Sequence, residues 1–210
     1  MKHLSMLGLA AVAALALMAL FGAGPASATV LCKENQIPCP EEMEFKVGQT
    51  VDASQQTGTS SIFRTTGGSL LNTCTASTIE SEIANAGGAT ETVILKLTNL
   101  TFGSCSNTTF VQEVGELEIH YVTEKGETRG KPTARKVALT IDTILGHCIY
   151  GTGAGIDLGT VTGSPTEAEG ATIDIATSLP KKEGAAFCPA DLLWESTYRI
   201  TSPIPLYVKP

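Results

Sequence analysis

Aromatic residues are scarce in this 210-residue chain: one Trp, four Tyr and six Phe, or 5% of the total. Few flat surfaces are therefore available for stacking bases or sugar rings. Basic residues are also few, 14 against 21 acidic ones, giving a formal net charge of −7. With no bulk positive field to hold a polyanion, nucleic acid is not an expected partner. Only His120 and His147 lie beyond the first three residues, and no Cys-x-x-Cys occurs, so zinc-ligand spacing is missing. Asp157 and Asp174 stand alone rather than in a dense Asp-x-Asp calcium loop. The run Gly151-Thr152-Gly153-Ala154-Gly155 breaks the Gly-x-Gly-x-x-Gly spacing of a dinucleotide turn, and Gly-x-Ser-x-Gly is absent. No cofactor or metal is expected.

What is plentiful is Gly (21), Pro (10) and Thr (28), a composition that disfavours helical bundles. The chain opens with Met1-Lys2-His3 and an apolar run from Leu4 to Phe21. Gly22 to Pro25 then breaks the run before Ala26-Ser27-Ala28. A short positive end, an apolar stretch and small residues at −3 and −1 form a secretory signal peptide over residues 1–28, cleaved after Ala28. An uncleaved anchor is the competing reading, because the run is near the lower length limit for a span. A lipid anchor on Cys32 would need a small residue where Leu31 stands. Removing residues 1–28 takes away Lys2 and no acid, so the net charge moves to −8. The remaining residues 29–210 are about 37% apolar and are read as one domain without a transmembrane segment.

All six cysteines, Cys32, Cys39, Cys74, Cys105, Cys148 and Cys188, follow the leader, so disulfides are expected. Six cysteines admit fifteen pairings. Spacing favours pairing in order, Cys32–Cys39, Cys74–Cys105 and Cys148–Cys188, each clipping a local loop or neighbouring strands. Loop-closure entropy makes the first worth about 2.5 kcal/mol and the others about 3.7–3.9 kcal/mol.

Period-two alternation recurs along the chain. It marks Met43 to Val47, and Thr92 to Phe102 with Val93, Leu95 and Leu97 on one face. It also marks Glu116 to Val122 with Leu117, Ile119 and Tyr121 inward, and Leu192 to Thr201 with Leu192, Trp194, Tyr198 and Ile200 inward. Gly67-Gly68 between Ile62–Thr65 and Ser69–Cys74 is the clearest hairpin signal. Ten to twelve such strands, separated by Gly, Asn or Pro turns, predict an all-β, antiparallel β-sandwich or barrel-like sandwich.

Two stretches carry candidate sites. The most polar one, Glu124 to Lys136, reads as a solvated loop and holds Lys125, Arg129, Lys131, Arg135 and Lys136. Such a loop could contact an anionic envelope polymer or another extracellular protein. The alternative is a hydrolase acting on polysaccharide or ester bonds through paired carboxylates or His147, with Asp142 among the acids near it. Adjacent side chains on a strand face opposite ways, which argues against pairing His147 with Cys148 in catalysis.

Several segments resemble a group of uncharacterised secreted, cysteine-containing, β-rich proteins of actinobacterial type. They are Thr29-Val30-Leu31-Cys32 with Pro38-Cys39-Pro40, Cys74-Thr75, Leu100-Thr101-Phe102-Gly103 before Cys105, Cys148-Ile149-Tyr150, and Pro205-Leu206-Tyr207-Val208. The resemblance implies secretion, β structure and paired cysteines, and it brings no catalytic residue. The expected role is binding or structural, in the extracellular space or at the cell envelope.

Overall fold

The computed structural model describes residues 28–124, 126–144 and 146–210. Lys125, Leu145 and residues 1–27, which hold all but the last residue of the expected signal peptide, lie outside the described residues. Fifteen strands follow one another: β1 (Thr29–Cys32), β2 (Thr50–Gln55), β3 (Ser61–Thr65), β4 (Leu70–Gly88), β5 (Glu91–Cys105), β6 (Thr109–Glu113), β7 (Glu116–Glu124), β8 (Glu127–Arg135), β9 (Ala138–Thr143), β10 (Gly146–Gly151), β11 (Ile156–Asp157), β12 (Gly159–Thr162), β13 (Thr172–Gly184), β14 (Asp191–Ser202) and β15 (Tyr207–Lys209). A single 3-10 turn, Glu41–Met43, is the only helical element among the described residues. The predicted Met43–Val47 strand reduces to one bridge between Glu44 and Cys32, although Phe45 is buried in the core.

Every pairing is antiparallel, and the pairings close into a ring. From β4 the neighbours run β5, β7, β8, β12, β13 and β14. The circuit is completed by β2 and β3, which lie end to end and each pair with both β14 and β4. Of the two shapes left open by the sequence, the closed ring gives the barrel-like one, with eight positions in its wall. Closure removes the exposed edges that an open sheet would present.

Alternation decides what fills it. Ile79, Val93, Leu95, Leu97, Leu117, Ile119, Ile173, Ile175, Trp194 and Ile200 point inward and are buried. Thr78, Glu80, Glu82, Lys96 and Glu195 point outward and are exposed. A bulge at Thr98, where Ser81 pairs with Leu97 and Glu80 with Asn99, resets the phase so that Leu100 also turns inward. An apolar inside and a charged outside invert the pattern of a lipid-facing barrel. No helix among the described residues is long and apolar enough to cross a membrane.

Both ends are closed. The β1–β15 ribbon lies across one end against β4, β5, β7, β8 and β12, inserting Leu31, Leu206 and Val208 into the core. Past the wall, the end of β13 pairs with β10, which continues through β9 to β6. This three-stranded flap lowers Leu139, Ile141 and Tyr150 onto the other end. Phe63, Phe102 and Trp194 meet beneath it, with ring centroids 5.4–6.1 Å apart.

The stretch read as a loop, Glu124 to Lys136, is instead mostly the strand β8, paired along β7 from Arg135 to Glu127. Its inward residues are Gly130, Pro132 and Ala134, too small and polar-flanked to register as a strand. The ribbon explains why Gly130 has no side chain. A Cβ on Gly130 would sit 2.9 Å from Val208 and 3.0 Å from Ile119.

Candidate functional site

The three disulfides join Cys32–Cys39, Cys74–Cys105 and Cys148–Cys188, with Cα separations of 5.9, 3.9 and 5.6 Å, and no free cysteine remains. Each staples a different part. The first fixes the loop after β1, the second joins directly opposed residues of β4 and β5, and the third ties the flap to the β13–β14 connection. With every sulfur in a bond, thiol nucleophilic chemistry has no residue to use.

Among the described residues, the interior cavities lined by Trp194 and by Leu206 are each too small for a ligand. The two interior cavities are apolar and hold about 20 Å³ each, the space of roughly one water and far below the ~300 Å³ of a small-molecule site. Trp194 and Tyr150 border the upper cavity and are buried, yet the indole N–H and the Tyr150 hydroxyl make no hydrogen bond. Burial, with the nearby Asp191 carboxylate, pushes the Tyr150 hydroxyl up to about 12.

The basic residues of β8 do not form a cationic patch. Arg129 reaches Glu127 at 2.6 Å, Lys131 reaches Asp157 at 3.4 Å and Arg135 reaches Glu118 at 2.5 Å. The strand pairing sets this up: Glu118 faces Thr133 across β7–β8, and Thr133 faces Asp157 across β8–β11, so acids and bases interleave. Burial would raise Glu118, but hydrogen bonds from Thr92 and Arg135 outweigh it and hold the carboxyl below its ordinary range. Asp157 is likewise lowered, chiefly by the Thr133 hydroxyl, with help from Lys131. Lys136 is exposed and adopts a left-handed φ of 55° where the chain leaves β8 for the flap.

The hydrolase candidates do meet. Asp142 and His147 are opposed residues on β9 and β10, and His147 Nδ1 lies 2.6 Å from Asp142 Oδ1. Both sit on the outer face of the flap, with the His147 side chain 72% exposed, while Cys148 points inward into its disulfide. Such a pair can orient an imidazole base. Among the described residues, no hydroxyl is hydrogen-bonded to that imidazole, and no group of three or more His, Cys, Asp or Glu converges as a metal site.

One polar site was missed from the sequence. Asn72, wholly buried, donates to the carbonyl of Asn107 and to Thr109 Oγ1, and accepts from the backbone N–H groups of Thr73 and Asn107 and from Ser106 Oγ. It anchors the loop that launches the flap from β5. The Asn107 side chain is spent on the carbonyl of Leu71. Nothing in the local sequence separates Asn72 from a surface asparagine, because all its partners but Thr73 arrive from more than thirty residues away.

No protein-family model, curated protein or solved structure matches this chain.

Proposed function

We propose that this is a secreted extracellular or cell-envelope-associated protein with a binding or structural role. In this reading residues 1–28 are a signal peptide removed after Ala28, and the folded chain works outside the cytoplasm. The observation that carries it is the side-chain-filled, disulfide-stapled barrel, whose interior cavities lined by described residues hold about 20 Å³ each, so that its rigid outer surface is what it offers a partner. Disulfides belong to oxidising compartments, and the resemblance to secreted actinobacterial proteins agrees with that setting. The expected partner is an envelope polymer or another extracellular protein. Sedimenting the mature protein with purified cell wall, and separately with an anionic polysaccharide, tests this. Retention on either supports the reading, and retention on neither removes its envelope-binding half.

The 2.6 Å contact between His147 and Asp142 favours a second reading, hydrolysis of polysaccharide or ester bonds. Turnover in a broad substrate panel that disappears in His147→Ala would establish it. Silence across the panel would discard it.

A further inference from the structure

The ribbon that closes one end of the barrel buries a lysine against a carboxamide. On β15 the side chains alternate, so Val208 enters the core while Tyr207 and Lys209 share the opposite face. Across the ribbon those two stand opposite Cys32 and Val30. Cys32 is bonded to Cys39, which packs with Val30 and Tyr207, and the loop between the two cysteines carries Asn35 onto Lys209. Lys209 is 2% exposed. Its amine nitrogen donates to Asn35 Oδ1 at 2.5 Å and lies 5.5 Å from the centre of the Tyr207 ring. Among the described residues no carboxylate forms an ion pair with it. A charged amine buried in this way is costly, and burial holds Lys209 below its ordinary value. A larger share of it is therefore the uncharged, nucleophilic amine.

The oxygen it touches belongs to an electrophile. The side-chain carbonyl carbon of Asn35 is bonded to Oδ1 at about 1.23 Å, so it lies within about 3.7 Å of the amine nitrogen. That is close to the ~3–3.5 Å of a near-attack arrangement. Amides resist amines in dilute solution, but fixed neighbours react with effective molarities of about 10⁵–10⁸ M. Three features fix these two side chains. The Cys32–Cys39 bridge closes the loop that carries Asn35, the β1–β15 pairing places Lys209, and the Tyr207 ring covers the amine. Asn35 is itself exposed and borders an outer groove, which gives ammonia a way out.

We propose that Lys209 and Asn35 join in an intramolecular amide crosslink, a bond the folded chain makes from its own two side chains. Lys209 Nζ attacks Asn35 Cγ. A C–N bond forms, the Cγ–Nδ2 bond breaks, and a proton passes from Nζ to the departing nitrogen, which leaves as ammonia. Nothing is oxidised or reduced. The buried charge disappears with the reaction. The crosslink ties β15 to the loop after β1, between residues 174 positions apart, and adds a second covalent lock to the ribbon beside the Cys32–Cys39 bridge. It is independent of what the outer surface binds.

Mass spectrometry of the folded protein, after prolonged incubation and then reduction of its disulfides, tests this. Most molecules should weigh one ammonia less than their sequence requires, and trypsin should release residues 34–46 and 200–210 as a single branched peptide. Asn35→Ala and Lys209→Arg should each abolish both signs, with circular dichroism checking that the variants fold. Should Lys209→Arg misfold, Asn35→Ala, which alters an exposed residue, decides. Parent protein at full mass with two separate peptides would overturn the crosslink. So would loss of ammonia without the branched peptide, hydrolysis of the Asn35 side chain to a carboxylate in place of the bond, or a branched peptide that survives in either variant.

Discussion

Replacing Trp194 tests the barrel's interior where it is most specific. Its side chain is 3% exposed, stacks on Phe63 at 6.1 Å and meets the edge of Phe102 at 5.8 Å. It also borders the upper 20 Å³ cavity, so truncation enlarges an existing void rather than opening an isolated one. An unrelaxed space of roughly 100 Å³ costs about 2.4 kcal/mol at ~24 cal/mol per Å³. Lost aromatic contacts add about 0.5–1.5 kcal/mol each. Trp194→Ala should therefore destabilise by about 3–5 kcal/mol, the range for core aromatics. That is a large share of the ~5–15 kcal/mol available to a domain of this kind. Trp194→Phe should cost much less, because the smaller ring keeps the stacking and removes an indole N–H that has no acceptor. The assay is urea unfolding with disulfides intact, followed by far-ultraviolet circular dichroism, since this is the only tryptophan and its fluorescence leaves with it. A neutral Trp194→Ala, or a Trp194→Phe as damaging as the alanine, would refute the packing argument.

Other perturbations probe different parts of the same scaffold. Asn72→Ala should cost about 2–4 kcal/mol, because it strands several buried backbone and hydroxyl groups at once; hydrogen exchange should localise the loss to the flap-launching loop at 106–109. Gly130→Val should destabilise by roughly 1–3 kcal/mol through overpacking against Val208, Ile119 and Val161, whereas Gly67→Ala, 3.7 Å from its nearest neighbour, should be close to neutral in the same melts. Glu118 and Asp157 have folded values below their unfolded ones. Their stabilisation is thus present above the ordinary carboxylate range and lost as pH falls through the lowered values; Glu118→Gln should flatten that acid limb in pH-dependent melting. An ultraviolet titration should find Tyr150 ionising near 12 and Tyr198 also above its ordinary value, held up by burial.

Much of the wall is written in its local pattern. Val93, Leu95 and Leu97 on β5 and Leu192, Trp194, Tyr198 and Ile200 on β14 are buried as their alternation predicts. Gly67-Gly68 closes the β3–β4 hairpin, with Gly68 at a φ of 84°. The cysteine pairing was also legible, since each bridge joins segments that are near in sequence.

What escaped the sequence depends on distant partners. Thr29 to Pro40, without period-two alternation, carries no strand signal, yet Thr29-Val30-Leu31-Cys32 is a fully buried strand because β15 arrives from the other end of the chain. Gly130, Pro132 and Ala134 lack the large apolar residues of an alternating strand and so conceal β8, and Gly130 is small because it faces Val208, nearly eighty residues away. The basic residues of that strand were visible, and Arg129 has its partner Glu127 two residues away, but the pairing of Lys131 and Arg135 needed the β11 and β7 registers. Lys209 looks like an ordinary exposed terminal-strand lysine until Asn35 and Tyr207 enclose it.

The functional reading depends on a closed and filled barrel, so the seam is the decisive place to look. Ala53 on β2 pairs with Ile79 of β4 on one side and with Ile200 of β14 on the other. A nuclear Overhauser spectrum of the oxidised, mature protein should show backbone contacts from Ala53 to both residues, with slow amide exchange across β2. Contacts to only one of them, with fast exchange along the other flank, would mean an open sheet and would contradict the account.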